Sequence, residues 1–383
     1  METEISRGVI FAPPVMEKEE YVMSIKVGII GYGFMGHEHA KMFADMDEID
    51  VIAVCDIDDE QLKDVPTKVE IYKDARELVK NADIDTVIIS VPNTLHLEMV
   101  KLAAEAGKFI ICEKPAAMTV AEFDEMVQVV KAAGVHLTVH QQRRWDVDYC
   151  MMKAVYEKGL VGKPYVIKSQ LYGFNGNMHD WHVYPELGGG MLYDWGVHLI
   201  DQIFQMVDSR IISVYADMKN VINKNVDDYF KIIFEYENGV TAEIELGTYY
   251  LTPKRAWFIG GTTGSAIIDG TFCAQGNAEG KIVRTTHLLE SVPGKLTMTS
   301  AGPTRSFGEP EPGLLYEEPL PDIHTEHRDY FRNYLNARAG LEDYAVKLNE
   351  VRQVLVLMDM VRESAAKHQA VAVGKDFYEE KDI

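Results

Sequence analysis

Two side chains suited to proton transfer lie four residues apart near the middle of the chain. Asp194 and His198 follow a run of three glycines at 188–190. An apolar stripe at helical spacing predicts a helix that carries both: Leu192, Trp195, Leu199 and Ile203. Gly196 between the pair leaves room for a ligand against the backbone. Because a histidine accepts a hydroxyl proton near neutral pH and an aspartate orients the imidazole or a second hydroxyl, the pair indicates chemistry on an alcohol.

A lysine in the sequence Glu113-Lys114-Pro115 follows an apolar, strand-like run at 109–112. Ligands of doubly wound sheets bind at the carboxyl ends of strands, where an ammonium can polarise a hydroxyl or carbonyl oxygen. A lysine before a proline is also common in surface turns. Lys114 is therefore a candidate catalytic residue, with a structural turn as the alternative.

A glycine-rich turn near the start of the chain has the pattern of a dinucleotide site. Gly31, Gly33 and Gly36 follow the strand-like run 26–30 and open a predicted helix. The first glycine permits a tight turn, the second lets the backbone approach a pyrophosphate, and the third allows close packing of helix on strand. Two further candidates for the cofactor site lie between the glycines: Phe34 and Met35. Since Asp56 can bond both adenosine ribose hydroxyls and would repel a 2′-phosphate, the pattern predicts NAD rather than NADP.

A polar and aromatic loop comes just before the glycine triplet. Its candidate substrate contacts are His179, Asp180, Trp181 and His182. Trp181 can cover the apolar face of a sugar ring while the polar side chains bind hydroxyl groups. The histidines and the aspartate are also possible metal ligands, and a solvated loop is a third interpretation. Substrate contact is the favoured hypothesis, and no metal is predicted.

Two arginines, Arg143 and Arg144, follow the last predicted strand of the first half of the chain. They can bind a substrate phosphate, but no phosphate-cradling glycine loop accompanies them, so pairing with carboxylates or the nucleotide is favoured. Arg143 remains a candidate for substrate binding, and Asp201 is a candidate partner for an arginine.

His37 and His39 face different ways on their predicted helix, which favours packing over metal binding.

Short β-rich runs alternate with helical stretches from residue 26 to residue 140, which predicts a parallel sheet covered by helices. After residue 146 most segments are extended, which predicts an α+β second domain. The alternation of Phe230, Ile232 and Phe234 before the turn Asn238-Gly239 predicts an antiparallel hairpin with one apolar face. Because this face is too large to leave exposed, we expect a helix or another subunit to cover it.

The chain has 383 residues, which suits two domains, and a formal charge of -22, which opposes binding to nucleic acid or anionic membranes. No apolar run can span a bilayer and the N-terminus lacks the features of a secretory signal, so a cytoplasmic location is expected. The four cysteines have no CxxC spacing and are expected to be reduced.

We expect a leader arm at 1–23, a nucleotide domain at 24–145 and a substrate and oligomerisation domain at 146–383, with a surface loop at 302–321.

The chain resembles the Gfo/Idh/MocA oxidoreductases, because motifs of that family occur here in its order and spacing. These motifs are Pro92-Asn93 with His96, Glu113-Lys114-Pro115, the glycine triplet, and Asp194-x-Gly196-x-His198. The match runs from about Ser24 to the C-terminus. The resemblance implies an N-terminal Rossmann fold, an open-faced and largely antiparallel second sheet, and subunits joined through sheet faces. A homodimer or homotetramer is therefore expected.

The resemblance also implies roles for individual residues. Lys114 is implied to be catalytic near the nicotinamide, His198 to be the base, and Asp194 to position the substrate. The residues implied to line the cofactor site are Pro92, Asn93, His96, Glu113 and Lys114. In several relatives the Lys-Pro peptide bond is cis.

Together these features favour an NAD-dependent dehydrogenase that oxidises a secondary hydroxyl of a small carbohydrate or glycoside, and position 3 of a glucoside is the specific hypothesis. The loop with Trp181 indicates room for a large aglycone. Two alternatives stay open. One is an inositol-type dehydrogenase, whose smaller substrate needs no aglycone space, and the other is a catalytically silent NAD- or sugar-sensing regulator. The intact Lys114, Asp194 and His198 favour an enzyme.

Overall fold

The first part of the chain forms a six-stranded parallel sheet. A computed structural model of the protein describes residues 24–176, 178, 180–270, 272–276, 278–288, 297–300, 302–304 and 309–379. The predicted leader arm at 1–23 lies outside the described residues. The strands are β1 (Ile25–Ile30), β2 (Ile49–Cys55), β3 (Glu70–Tyr72), β4 (Thr86–Ile89), β5 (Phe109–Cys112) and β6 (Leu137–Val139). They lie in the order β3-β2-β1-β4-β5-β6, and each neighbouring pair is parallel, as predicted.

Helices connect the strands of this sheet. They are α1 (Phe34–Phe43), α2 (Ala75–Asn81), α3 (His96–Glu105) and α4 (Val120–Ala133). Every residue of β4 is buried, as expected for a central parallel strand with cover on both faces. Thr119 caps the N-terminus of α4 through its hydroxyl, which accepts a hydrogen bond from the backbone N–H of Glu122, and Gly134 caps the C-terminus in the left-handed conformation. These local signals set the lengths of the connecting elements.

β3 is an element that the sequence analysis missed. It has three residues at the edge of the sheet, and Glu70 and Ile71 are exposed. A short edge strand without a buried face has no hydrophobic period, so its sequence does not distinguish it from a loop.

The second part of the chain forms a nine-stranded sheet that is mostly antiparallel. The strands are β7 (Pro164–Tyr172), β8 (Ile211–Lys219), β9 (Tyr229–Tyr236), β10 (Thr241–Gly247), β11 (Arg255–Gly261), β12 (Gly264–Asp269), β13 (Gly280–Thr285), β14 (Thr297–Thr299), β15 (Gly302–Thr304), β16 (Leu315–Glu318) and β17 (Val371–Ala372). Nine of them lie in the order β16-β13-β12-β11-β7-β10-β9-β8-β17, while β14 and β15 pair with each other. β7 and β10 pair in parallel, and the other pairs are antiparallel.

Four helices accompany this sheet: α5 (Val147–Glu157), α6 (Val197–Met206), α7 (Arg328–Arg338) and α8 (Leu348–Lys367). α5, α6 and α8 pack against its strands. The prediction of a surface loop at 302–321 is wrong in part, because residues Leu315–Glu318 pair with β13 at the edge of the sheet. The mixed α/β class is confirmed.

The predicted hairpin is formed by β9 and β10. Phe234 lies opposite Ala242 and Ile232 lies opposite Ile244, in antiparallel register. Phe230, Ile232 and Phe234 are fully buried. Since α6 packs against β10, a helix of the same chain covers this apolar face.

The C-terminal helices also contact the first sheet's helices and the segment after β6. Phe331 of α7 packs edge-on against Phe43 of α1, with ring centroids 4.8 Å apart. Arg144 bonds Asp201 of α6 at 2.8 and 2.7 Å, and Glu350 of α8 at 2.8 Å. The pairing of an arginine with Asp201 is the one expected from the sequence, and it joins the two parts of the chain.

Two expectations about the chain as a whole can be compared with the structure. The described ranges contain no helix that combines the length and the apolar character needed to cross a membrane. All four cysteines are free thiols, as expected.

We expect Phe234→Ala to lower the free energy of unfolding by about 3–5 kcal/mol, because it removes a fully buried ring. Leu251→Ala is the matched control, since Leu251 is 71% exposed. Urea unfolding followed by circular dichroism measures both. A loss below about 1 kcal/mol for Phe234→Ala would show that this face is not part of the core.

Candidate active site

The glycine turn after β1 leaves space that a side chain would fill. Gly31 has a φ of 88°, and a β-carbon there would lie 2.5 Å from the backbone oxygen of Ser90. A β-carbon at Gly36 would lie 2.4 Å from the backbone oxygen of Gly31. At Gly33, the N-cap of α1, a β-carbon would meet nothing within 4 Å. Close packing therefore requires the first and third glycines, and the second faces open space where a pyrophosphate can approach the helix N-terminus.

Asp56 lies beside this turn, directly after β2. Its Oδ2 accepts a hydrogen bond from the N–H of Tyr32 at 2.7 Å, and its Oδ1 accepts one from the N–H of Asp58 at 2.8 Å. These bonds fix the carboxylate against the glycine turn. Phe34 and Ile57, which follow Gly33 and Asp56, are 66% and 90% exposed. The fixed carboxylate, the open turn and the apolar surface fit the adenosine and pyrophosphate of NAD.

Three further predicted cofactor contacts lie near the turn. Met35 is half-buried in the first turn of α1, and Pro92 precedes a short 3-10 turn after β4. Asn93 is buried, and its Nδ2 donates to the backbone oxygen of Gly188 at 3.1 Å. Asn93 therefore links the nucleotide domain to the glycine triplet.

For two other predicted cofactor contacts, His96 and Glu113, the structure corrects the expectation. His96 is fully buried, with Nδ1 3.0 Å from the oxygen of Pro115 and Nε2 3.0 Å from the oxygen of Val91. Its ring holds two backbone turns and has no surface left for a ligand. The Glu113 carboxylate is also buried, where two histidine side chains bond to it. A direct bond from either side chain to a cofactor is therefore not available.

Lys114 reaches from the end of β5 to the second domain. Its ammonium donates to Oδ1 of Asp194 at 2.8 Å and to the backbone oxygen of Asp194 at 2.7 Å. The two side chains are 15% and 11% exposed. The Lys114–Pro115 peptide bond is cis. The structure thus brings together two residues that the sequence assigned to one site.

Asp194 lies in a π-helical turn, Leu192–Gly196, where the sequence predicted a regular helix. Such single π turns are frequent at functional sites. His198 follows in the first turn of α6 and is buried, and its Nδ1 has no hydrogen-bond partner within the described residues. Burial, together with the charges of Lys114 and Arg143, holds the pKa of His198 well below its usual value. The imidazole is therefore neutral near pH 7 and can accept a proton.

Part of the loop before the glycine triplet reaches the same site. His182 Nε2 lies 3.6 Å from Oδ1 of Asp194, and the ring of Trp181 stacks on His182 with centroids 4.0 Å apart. His179 and the side chain of Asp180 lie outside the described residues. Trp181, the tryptophan predicted to bind a sugar, therefore contacts His182, which lies beside Asp194.

An aromatic and cationic wall stands next to the π turn. The guanidinium of Arg143 lies 4.0 Å above the ring centroid of Trp195 and 4.8 Å from that of Phe272. The segment with Phe272 is anchored by Asp148, which accepts a hydrogen bond from the N–H of Cys273 at 2.9 Å. Sequence reasoning missed Phe272, and it assigned Trp195 only to the apolar stripe. The position of Trp195 directly after Asp194 was the available signal.

Two more residues that the sequence left unassigned support this wall. Asp146 accepts a hydrogen bond from Arg143 at 3.2 Å, and its other oxygen lies 2.7 Å from Nε2 of His327. Gln202 of α6 donates to the backbone oxygen of Arg143 at 2.7 Å. His324, by contrast, is exposed and pairs with Asp322, away from these residues.

The cations of the site face carboxylates. Lys114 pairs with Asp194 at 2.8 Å and Arg143 pairs with Asp146 at 3.2 Å. An anionic ligand would have to compete with both carboxylates, whereas hydroxyl groups can bond to either partner. The arrangement therefore favours a neutral, hydroxyl-bearing ligand beside a neutral histidine and an ammonium.

Two family models match the chain. Residues 25–141 match the model of an oxidoreductase family with an NAD-binding Rossmann fold. Residues 149–267 match the model of the GFO/IDH/MocA C-terminal domain. The first match contains the glycine turn, Asp56 and Lys114, and the second contains Asp194 and His198.

Known proteins with similar chains agree with these matches. A solved NAD-binding protein from Listeria innocua is 32% identical, with a TM-score of 0.85 over 92% of this chain and 100% of that one. The uncharacterised oxidoreductase YdgJ of Escherichia coli is 27% identical over 91% of this chain and 98% of its own. The myo-inositol 2-dehydrogenase of Thermotoga maritima is 26% identical over 58% of this chain and 68% of its own.

We expect Asp56→Ala to weaken NAD binding about tenfold to a hundredfold, because one or two charge-assisted hydrogen bonds to ribose contribute about 1.5–3 kcal/mol each. Binding of NADP should weaken less, so the preference for NAD falls. Fluorescence titration of both cofactors measures the change without any substrate.

Asp58→Ala is the control for this substitution, because Asp58 is an exposed neighbour that accepts a hydrogen bond from the N–H of Glu60. A wild-type protein that prefers NADP, or an unchanged preference in Asp56→Ala, would contradict the role of Asp56.

Proposed function

The chain belongs to the Gfo/Idh/MocA family of NAD-binding oxidoreductases, and we propose that it oxidises a secondary hydroxyl of a pyranose, cyclitol or glycoside. One observation carries this proposal. Lys114 follows the carboxyl end of the parallel strand β5, and its ammonium bonds to Asp194. The buried, neutral His198 comes four residues after Asp194. A cation, a carboxylate and a proton acceptor are the groups that the oxidation of an alcohol needs.

Each residue has a distinct task in the proposed reaction. Lys114 donates a hydrogen bond from Nζ to the reacting oxygen and stabilises the negative charge that develops there. Asp194 holds this ammonium and accepts a hydrogen bond from a neighbouring hydroxyl, which fixes the ring. His198 takes the hydroxyl proton at Nε2, since its pKa keeps the imidazole unprotonated before the reaction.

The glycine turn and Asp56 hold the cofactor in this proposal, with Gly33 and the N-terminus of α1 on the pyrophosphate. When bound, NAD supplies the acceptor for the hydride that leaves the substrate carbon. The chain's own contribution is therefore placement and charge, because the two domains set the distance between substrate and cofactor.

A neutral carbohydrate is the substrate class that the site supports best. The pairing of Lys114 and Arg143 with carboxylates disfavours phosphate and carboxylate groups. Trp181 and Trp195 offer ring faces for the C–H surface of a sugar. Because Trp181 stacks on His182, a neighbour of Asp194, and Trp195 follows Asp194 in the π turn, we favour a glycoside with an aglycone, oxidised at position 3 of a glucoside.

Two alternatives to a glucoside dehydrogenase each have an observation for or against them. The relative from Thermotoga maritima is named a myo-inositol 2-dehydrogenase, so a cyclitol is the second candidate substrate. A catalytically silent sensor would have no need to keep the Lys114–Asp194 pair next to a neutral His198. That buried ionic arrangement favours an enzyme.

We also propose that the protein acts as a cytoplasmic homodimer or homotetramer. The face of the nine-stranded sheet opposite the helices carries apolar side chains, among them Tyr215 beside Ile233 and Phe258 beside Ile267. Tyr215 is 39% exposed. Covering this face with the same face of a second copy removes it from water.

We expect His198→Ala and Lys114→Ala each to lower kcat by about 10²–10⁴, while NAD binding survives. The double variant should fall much less than the product of the single losses, because both groups act on the same oxygen. Absorbance of NADH with free sugars, inositols and aryl glycosides gives the substrate and the rates.

Deuterium at the oxidised carbon should appear in NADH, which tests the transfer directly. His324→Ala is the control, because that exposed histidine lies away from the site. If no carbohydrate, cyclitol or glycoside reduces NAD while the cofactor binds tightly, the dehydrogenase proposal fails and the sensor becomes the better account.

We expect light scattering at micromolar concentration to give the mass of a dimer or tetramer, and Phe258→Asp to give a monomer, since a carboxylate in the proposed interface would have to lose its water. Leu251→Asp, an exposed position, is the control. A wild-type protein that is only monomeric would contradict the proposed assembly.

A further inference from the structure

Glu113, the residue before Lys114, has a buried carboxylate with no role in the proposed reaction. The ion pair of the site joins Lys114 and Asp194. The side chain of Glu113 points the other way, into the first domain. Oε1 of Glu113 lies 2.7 Å from Nε2 of His39 and 2.8 Å from Nδ1 of His140, and Oε2 accepts a hydrogen bond from the N–H of Lys114 at 3.2 Å. Glu113, His39 and His140 are 4%, 0% and 1% exposed. The Glu113 carboxylate is thus enclosed, and the next residue in the chain is the catalytic Lys114.

The hydrogen bonds indicate the charge of this cluster. Both ring nitrogens meet the same oxygen, so each needs a hydrogen to donate. The outer nitrogens, Nδ1 of His39 and Nε2 of His140, have no partner among the described residues, so a second proton on either ring would have nothing to bond to. Burial lowers the pKa of His140 to about 4. Burial opposes ionisation of Glu113, but the two neighbouring histidines, chiefly His140, outweigh it and hold the pKa of Glu113 well below its usual value. The Glu113 carboxylate is therefore ionised.

The same three side chains offer ligand atoms within 4.8 Å of one another, as a metal site would. Two features favour hydrogen bonds instead. The nitrogen-to-oxygen distances of 2.7 and 2.8 Å are those of donated hydrogens. The rings are also packed in an aromatic shell, with Phe43 and Phe331 against His39, and Tyr330 edge-on to His140 at 4.8 Å. Aromatic rings thus enclose both imidazoles.

We propose that His39 and His140 are positioning residues that keep Glu113 ionised and fixed, and that this buried charge makes the protein bind NAD⁺ more tightly relative to NADH. The inference rests on the proposed function in one respect, the placement of the reaction at Lys114. If the substrate oxygen lies on Lys114, the nicotinamide must lie next to the substrate, and therefore near Glu113.

The charge changes of the reaction explain why a fixed anion matters there. The substrate loses a hydride from carbon and a proton from oxygen, so a hydroxyl becomes a carbonyl. When bound, NAD⁺ would lose the positive charge of its nicotinamide on accepting the hydride, and His198 would gain the proton. A buried anion attracts the cationic ring and does not attract the neutral one. Glu113 therefore favours the oxidised cofactor before the reaction and leaves the reduced one easier to release.

Cofactor binding without substrate tests this inference. We expect Glu113→Gln to reduce the preference for NAD⁺ over NADH about tenfold, measured as the ratio of the two dissociation constants by calorimetry or fluorescence titration. Glu122→Gln is the matched control in the same domain, because Glu122 caps α4 near the surface by accepting from the N–H of Met118. Its ratio should equal that of the wild type.

Variants of the histidines separate positioning from simple packing. Asparagine places its amide nitrogen near the Nδ1 of histidine, so His140→Asn keeps the donor to Glu113 and should retain the wild-type ratio within about twofold. His140→Leu removes the donor and should shift the ratio in the direction of Glu113→Gln. This pair of variants also carries the test if Glu113→Gln does not fold, with circular dichroism as the check of folding.

Three results would overturn the inference. They are an unchanged ratio in folded Glu113→Gln, equal ratios in His140→Asn and His140→Leu, and one equivalent of a tightly bound transition metal in the purified protein. The result is independent of the substrate. If the ratio shifts but no carbohydrate is oxidised, the buried charge is supported and the proposed function fails. If oxidation is found and the ratio does not shift, only this inference fails.

Discussion

The ion pair between Lys114 and Asp194 is the contact on which the site depends. Lys114 leaves the parallel sheet at the end of β5, and Asp194 lies in the π turn before α6, 80 residues later in the chain. Both side chains are largely withdrawn from water, and either charge alone would be costly to bury. The pair therefore forms only when the two domains meet in one arrangement. That requirement couples the chemistry of the site to the packing of the whole chain.

Other charges maintain this arrangement. Asp201 lies on α6, less than one turn after His198, and its bidentate bond to Arg144 fixes the helix that carries the base. Arg352 of α8 bonds Asp124 of α4 at 2.6 and 2.9 Å, which joins a C-terminal helix to the nucleotide domain. Arg–carboxylate pairs of this bidentate kind restrict orientation as well as distance. These two arginines therefore help to hold the domains in one arrangement.

The balance of charge also connects the two halves of the mechanism. In front of Lys114, paired carboxylates and a neutral imidazole suit a ligand with hydroxyl groups. On the other side, the buried carboxylate of Glu113 is enclosed by two histidines. Lys114 therefore lies between a site for an uncharged substrate and a buried carboxylate. This division lets the substrate and the cofactor be recognised by different parts of one short segment.

The sequence by itself determined what depends on neighbouring residues. The turn at Gly31 and the carboxylate at Asp56 follow from spacing along a strand, a turn and a helix, and alternation defined the β9–β10 hairpin, because backbone geometry is local. Only the tertiary structure decided which distant residues meet. His39 and His140 lie 74 and 27 positions from Glu113, and no pattern in the sequence links them. Their contact depends on how α1 and β6 pack around β5, since long-range pairs are set by the arrangement of whole elements in three dimensions.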